Sequence, residues 1–249
     1  MLKYAYRSHK GLIREKNEDS FFVPSSSSSS PGRVFAVADG MGGHVGGEVA
    51  SSLTIETLSN YLPEIQRNFS QENWGEMQQI VENIIIEANN NLLEKQRLQP
   101  ELQGMGTTLT VAVFGKEDLV IGHVGDSQVH LFNDKGHFQV TEDHSMAAEL
   151  LKNGKINRED VLTHPQKHVL TRVLGSSPAL KIDLYVRKVN KGDLFLICTD
   201  GLTDMLFPEE IESIIKQNGD LELRAEKLVE EANGRGGTDN LTFILVHIL

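Results

Sequence analysis

Four aspartates each stand at one end of a short apolar run: Asp39 after Val34 to Ala38, Asp126 after Leu119 to Gly125, Asp200 after Leu194 to Thr199, and Asp239 before Leu241 to Val246. Apolar runs of this length bounded by glycine read as buried strands, so each carboxylate would be held on rigid backbone at the rim of a sheet. Clustered carboxylates repel one another, and burying them unpaired costs roughly several kcal/mol unless a cation compensates. A hard divalent ion with oxygen ligands is the natural partner. The sharpest local feature is Asp39-Gly40-Met41-Gly42-Gly43-His44. There a carboxylate and the Gly40 carbonyl can ligate one ion, because a residue without Cβ lets backbone approach closely. A glycine-rich turn with an incidental acid is the competing reading of this segment alone. The run lacks the Lys-Ser/Thr of a phosphate-binding P-loop. His164 and His168 are spaced like a helical zinc pair, but Pro165 intervenes and no third ligand follows at a zinc-like distance. A covalent route lacks its nucleophile: Asp204 stands where a Cys198 thiol phosphatase would need arginine, and no Asp-x-Asp pair occurs.

Those acids need a scaffold, and the chain supplies strands and helices in blocks. The N-terminal third reads as two strands, a glycine-rich turn and two helices, Glu48 to Leu62 and about Gln71 to Arg97. The second helix carries Trp74, Met77, Val81, Ile84, Ala88 and Leu92 at steps of three and four, a face for packing on a sheet. In the centre, Thr107 to Phe114, Leu119 to Val124, Gln128 to Phe132 and His137 to Thr141 are separated by turn chemistry, which predicts an antiparallel meander. Ser145 caps a helix from Met146 to Asn153, and Asn157 with Asp160 starts another, so residues 145–174 form a polar helical excursion of the lid or flap kind. Strands return at Lys181 to Val189, Leu194 to Thr199 and Leu241 to Leu249, with helices after Pro208 and Asp220 between them. The expected class is α+β, two stacked antiparallel β-sheets flanked by helices in an α-β-β-α sandwich, with a small helical flap.

The 249 residues are expected to form a single domain, 1–249, including the flap 145–174. The run Ser25 to Ser30 reads as a flexible tip between two strands. A net charge of -11 disfavours nucleic acid and anionic membranes as partners. No segment has the length and apolarity of a signal or a membrane span, and the single cysteine cannot form an internal disulfide, so the expectation is a cytoplasmic monomer.

Taken in order, Gly11-Leu-Ile-Arg14-Glu-Lys-Asn17-Glu18-Asp19, Asp39-Gly-Met-Gly-Gly-His44, Gly104-Met-Gly-Thr-Thr108, His123-Val-Gly-Asp126-Ser127, Asp143-His144, Cys198-Thr-Asp200-Gly201-Leu202 and Gly236-Gly-Thr-Asp239-Asn240 resemble the metal-dependent (PPM, type 2C) serine/threonine protein phosphatases. The likeness is greatest to their compact bacterial branch and runs from about Tyr4 to Leu249. It implies two or three Mn2+ or Mg2+ ions. Asp39 would bridge two of them, the Gly40 carbonyl would serve the second, Asp200 and Asp239 would complete the first, and Asp126 with Asp200 would take a third. Asp19 would act through metal-bound water and Arg14 would hold the substrate phosphate, for which a guanidinium is well shaped. Glu18 is expected to be a solvated acid or one reaching the ions indirectly, and Asn240 a turn or supporting residue. In the eukaryotic pattern a histidine directly follows Asp-Gly. Here Met41 stands there, so protonation of the leaving oxygen falls to His44 or to metal-bound water, with a purely structural imidazole at His44 the alternative. His164 and Arg172 of the flap are the expected substrate contacts.

The activity implied is hydrolysis of phosphoserine and phosphothreonine in proteins by direct attack of a metal-bridging water or hydroxide, opposing a bacterial serine/threonine kinase. Two other readings are a phosphatase dedicated to one small regulatory protein and a non-catalytic partner-binding pseudophosphatase. The second predicts lost metal acids, yet Asp39, Asp200 and Asp239 are all present.

Overall fold

A computed structural model describes residues 1–24, 33–42, 46–69, 73–161, 163–217 and 219–249, the side chain of Arg158 excepted. The serine run 25–30 and His44 lie outside the described residues. Two all-antiparallel sheets are built from β1 (Leu2–His9), β2 (Asp19–Phe22), β3 (Arg33–Met41), β4 (Gly106–Thr107), β5 (Leu109–Phe114), β6 (Asp118–Val124), β7 (Gln128–Asn133), β8 (Gly136–Gln139), β9 (Asp183–Lys188), β10 (Leu194–Cys198) and β11 (Leu241–Ile248). One sheet has the order β1-β11-β10-β7-β8, the other β2-β3-β5-β6-β9 with β4 against β3.

The helices are α1 (Gly46–Asn60), α2 (Leu62–Phe69), α3 (Trp74–Leu98), α4 (Met146–Lys152), α5 (Arg158–Val161), α6 (Asp200–Thr203), α7 (Pro208–Ile215) and α8 (Leu221–Gly234). Alternation along the strands makes three cores. In β3, Val34, Ala36 and Ala38 face α1, α2 and α3, whereas Phe35 and Val37 face the opposite sheet. On the far side Leu196, Cys198 and Phe243 pack under α6, α7 and α8. Between the sheets Phe35, Phe114 and Phe195 form an edge-to-face chain with centroids 5.6 and 5.2 Å apart. Strands buried on both faces appear in sequence as continuous apolar runs, and the α-β-β-α sandwich follows from covering both outer faces.

Three expectations need correction. The central meander is broken: β5 pairs with β6, but β7 pairs with β10 and β8, so residues 125–127 carry the chain from one sheet to the other. A Gly-Asp-Ser turn has the same composition whether it closes a hairpin or crosses a gap. The N-terminal third contains three strands, since β1 pairs with β11 along its whole length. The first helix stops at Asn60, and α2 restarts with Pro63 in its first turn, where a missing N–H costs nothing.

The flap leaves the sandwich after β8 and returns before β9. Its ends are closed by bridges Ser145↔Leu170 and Thr107↔Leu174, which bind a mostly exposed segment to the frame at its base.

Candidate metal centre

Asp39 lies near the end of β3 and faces Asp19 of β2 directly across the pair. Its backbone is clamped: its N–H donates to Thr108 Oγ1 at 2.9 Å, while its carbonyl accepts from Thr108 N at 2.9 Å and Thr107 Oγ1 at 2.8 Å. Thr108 Oγ1 is also hydrogen-bonded to Ser127 Oγ at 2.8 Å, tying β3 to the crossing turn that carries Asp126. Gly125 in that turn has φ +115°, and its N–H donates to His144 Nδ1 at 3.1 Å while its carbonyl accepts from His144 N at 2.7 Å. The His144 proton therefore sits on Nε2, aimed at Asp183 Oδ2 3.2 Å away. Gly40 has no room for a Cβ, which would enter the carbonyls of Gly47 and Glu18. This close approach of the α1 N-terminus, rather than turn conformation, explains the Asp-Gly pair.

Asp200 opens α6, directly after Thr199, whose hydroxyl donates to Asp19 Oδ2 at 3.0 Å. Asp239 receives the Arg14 Nη2 donor on Oδ2 at 2.8 Å and the Asn240 N–H on Oδ1 at 2.7 Å. Arg14 is about half exposed, at the mouth of the site. Asn240 is buried and uses its whole amide on backbone: Oδ1 accepts from Glu18 N at 2.7 Å, and Nδ2 donates to Lys10 O at 3.0 Å and Lys16 O at 2.8 Å. It staples the Arg14 loop to the C-terminal end of the site. The Glu18 carboxylate lies against Gly47, and its carbonyl accepts from Gly40 N at 3.2 Å.

The acids share one electrostatic field. Burial, then the charges of Asp19, Asp200, Asp126 and Asp239, holds the Asp39 carboxyl well above the usual range. Burial, then Asp200 and Asp143, does the same to Asp126. Asp19 is pushed up to about 7, chiefly by burial. Buried Oδ1 atoms of Asp19 and Asp200 have no hydrogen-bond partner among the described residues. An orphaned buried acceptor costs on the order of 1–3 kcal/mol, more when charged, and the raised carboxyls of Asp19, Asp39 and Asp126 add to that cost. This donor set, all oxygen and strongly anionic, fits divalent Mn2+ or Mg2+. Among the described residues, the three ligating atoms lying within 4.8 Å of one another belong to His168, Asp200 and Asp204. The four aspartates singled out by the sequence are more widely spread, with Arg14 drawn to Asp239 and His168 to Asp200.

This geometry has counterparts. A family model described as "Protein phosphatase 2C" matches residues 10–231. The chain belongs to the protein phosphatase 2C family. A "Serine/threonine phosphatase stp" of Listeria welshimeri is 37% identical over 241 residues, covering 97% of this chain and 94% of the relative. The crystal structure of the Mycobacterium tuberculosis serine/threonine phosphatase PstP/Ppp superposes with TM-score 0.88 at 34% identity, covering 99% of this chain and 98% of that one. The PstP catalytic domain in complex with two manganese ions gives TM-score 0.84 at 32% identity, covering 99% and 97%. The two-sheet fold of this chain is thus that of the 2C phosphatases.

Within the flap, Arg172 lines the cavity beside Asp126 and Asp200, and His164 does not. Arg172 turns inward, donating to Asp183 Oδ1 at 2.7 Å. The His164 ring accepts from Gln166 N at 3.2 Å within its own turn. The flap residues beside the acids are ones the sequence did not single out as substrate contacts: His168 Nδ1 is 3.6 Å from Asp200 and Nε2 3.5 Å from Asp204, and Lys167 Nζ is 3.0 Å from Asp204. An ion pair made across the fold leaves no periodic trace in the chain. The thiol of Cys198 is buried and pushed up by that burial, as an inert core residue. No described helix is long and apolar enough to cross a membrane.

Proposed function

We propose that this protein is a bacterial metal-dependent phosphatase acting on phosphoserine and phosphothreonine in proteins. Asp39, the Gly40 carbonyl, Asp200 and Asp239 would hold two divalent ions, Asp126 with Asp200 a third, and Arg14 the substrate phosphate. The observation carrying this reading is the convergence of Asp19, Asp39, Asp126, Asp200 and Asp239 from both sheets, with Arg14 at the same mouth. Bound there, Mn2+ or Mg2+ supplies Lewis acidity and a water acidic enough to be a nucleophile near neutral pH. The chain's own part is to hold the acids on strand ends and place a guanidinium against the phosphoryl oxygens. Asp19, whose buried Oδ1 has no hydrogen-bond partner among the described residues, would act through metal-bound water. His44 or metal-bound water would give the proton to the leaving oxygen. The kinase opposed by this enzyme would be a bacterial serine/threonine kinase.

Phosphate release from a phosphothreonine peptide, measured with Mn2+, with Mg2+ and with chelator, tests the proposal. Turnover that requires the ion supports it. Equal release in chelator, or none with either metal, overturns it.

A further inference from the structure

A cavity of about 490 Å³ lies between the flap and the β7–β8 face and opens beside Asp126 and Asp200. Its volume is that of a small-ligand site. Ala148, Leu151 and Val161 give it an apolar flap wall. The opposite wall presents Asp143, whose Oδ2 accepts from Gln128 Nε2 and Oδ1 from Gln139 Nε2, both at 2.8 Å. Gln128 is itself oriented. Its Oε1 accepts from His130 Nε2–H at 2.8 Å, which leaves His130 Nδ1 as the acceptor facing His137 Nε2 at 2.8 Å. Adjacent strands thus spend four polar side chains, Gln128, Gln139, His130 and His137, on holding one carboxylate at the cavity wall.

Asp143 receives only neutral amide donors, and burial pushes it up to about 7. The cations of the wall are committed elsewhere: Lys152 to Glu142 at 2.7 Å, Lys167 to Asp204 at 3.0 Å, and Arg172 to Asp183 at 2.7 Å. With Asp126 and Asp200 given to metal, Asp143 and Glu149 are lining acids that no described lysine or arginine pairs. A fourth divalent ion fits poorly, since hard ions take six or more oxygen ligands and the flap wall offers carbon. A lysine or arginine fits both walls, with methylenes on the apolar side and charge on the acidic one.

We propose that this cavity is a subsite for a lysine or arginine side chain of the phosphoprotein substrate, its stem against Ala148, Leu151 and Val161 and its charge on Asp143, with Glu149 at the flap side. The cavity opens at the acids proposed to cleave the phosphoryl group, so the cation and the phosphate belong to one substrate chain. The inference rests on the phosphatase reading above.

The test uses the full chain with Mn2+ and phosphothreonine peptides that are identical except for one flanking residue, lysine against glutamine, moved stepwise along the peptide. At one spacing lysine should raise kcat/KM about tenfold, mainly through KM, as expected for a partly desolvated charge pair. Asp143→Asn and, separately, Glu149→Gln on the exposed face of α4 should bring that ratio toward one. Turnover without a lysine preference at any spacing overturns the subsite alone. So does a ratio that survives both substitutions, or loss of a bound manganese from Asp143→Asn in native mass measurement, which would assign the acid to metal. No turnover of any peptide overturns the phosphatase reading and the subsite with it.

Discussion

Replacing Asn240 by alanine separates the scaffold of the Arg14 loop from the acids it serves. Asn240 is 6% exposed and its amide makes three hydrogen bonds, to Glu18 N, Lys10 O and Lys16 O. Each is worth about 1 kcal/mol net, and the Glu18 N–H loses the acceptor that Asn240 supplies, so the expected loss is about 3 kcal/mol. For a domain of this size, about 2–4 °C per kcal/mol gives a fall in Tm of about 6–12 °C. Because the loop carries Arg14, KM for a phosphopeptide should rise several-fold while bound metal stays nearly stoichiometric. Asn240→Asp is the sharper variant: it keeps an acceptor for Glu18 N but aims a carboxylate at two carbonyl oxygens, beside Asp239, and should be no better than alanine. Thermal unfolding with metal analysis and peptide kinetics reads all three quantities. A Tm change under about 2 °C for both variants, or an unchanged KM, would refute the staple.

Asp239→Asn should lower metal affinity and turnover together, because it removes charge with little change of shape; near-normal rates would refute its place among the ligands. Arg14→Ala should raise KM for phosphopeptide and Kd for inorganic phosphate alike by about tenfold or more, since the lost group is a charged donor to phosphate; calorimetry with phosphate checks this, and equal affinity would remove Arg14 from the site. Burial holds His123 and His130 at about 3, against about 6.5 in the unfolded chain, so the folded state binds fewer protons between those values. Stability is therefore full above about pH 6.5 and falls toward pH 3, by up to about 2 kcal/mol per histidine at pH 5. Urea unfolding at pH 7 and pH 5 should show a shallower loss in His130→Gln, and an identical slope would refute it. The rise in Tm on adding Mn2+ should be larger at pH 8 than at pH 5.5, because protons compete for Asp39 and Asp126, which are held above their usual range; a pH-independent rise would contradict that.

The acids were legible because each interrupts an apolar run at its end, and both outward faces of β3, β5, β6, β10 and β11 are buried, which makes those runs continuous. The sandwich was legible from the blocks of strands and helices. The crossing at residues 125–127 was not, since sheet membership is decided by partners distant in the chain: β10 for β7 and β9 for β6. Strand β1 leaves little trace in the sequence because Lys3 and Tyr6 are exposed and Tyr4, Arg7 and Ser8 are half-covered polar positions, so its alternation is weak. The supporting polar network was visible only as motif letters. Thr107, Thr108, His144 and Asn240 bind backbone atoms, and which backbone they reach depends on the folded path.

Strand β11 lies between β1 and β10, so a strand late in the sequence fills an interior position of its sheet and brings Asp239 with it. A nascent chain that has not yet released residues 241–248 from the ribosome cannot join β1 to β10, and its acids at 39, 126 and 200 have no fourth. Such a chain would be silent toward phosphoproteins until residues 239–248 emerge and β11 inserts between β1 and β10.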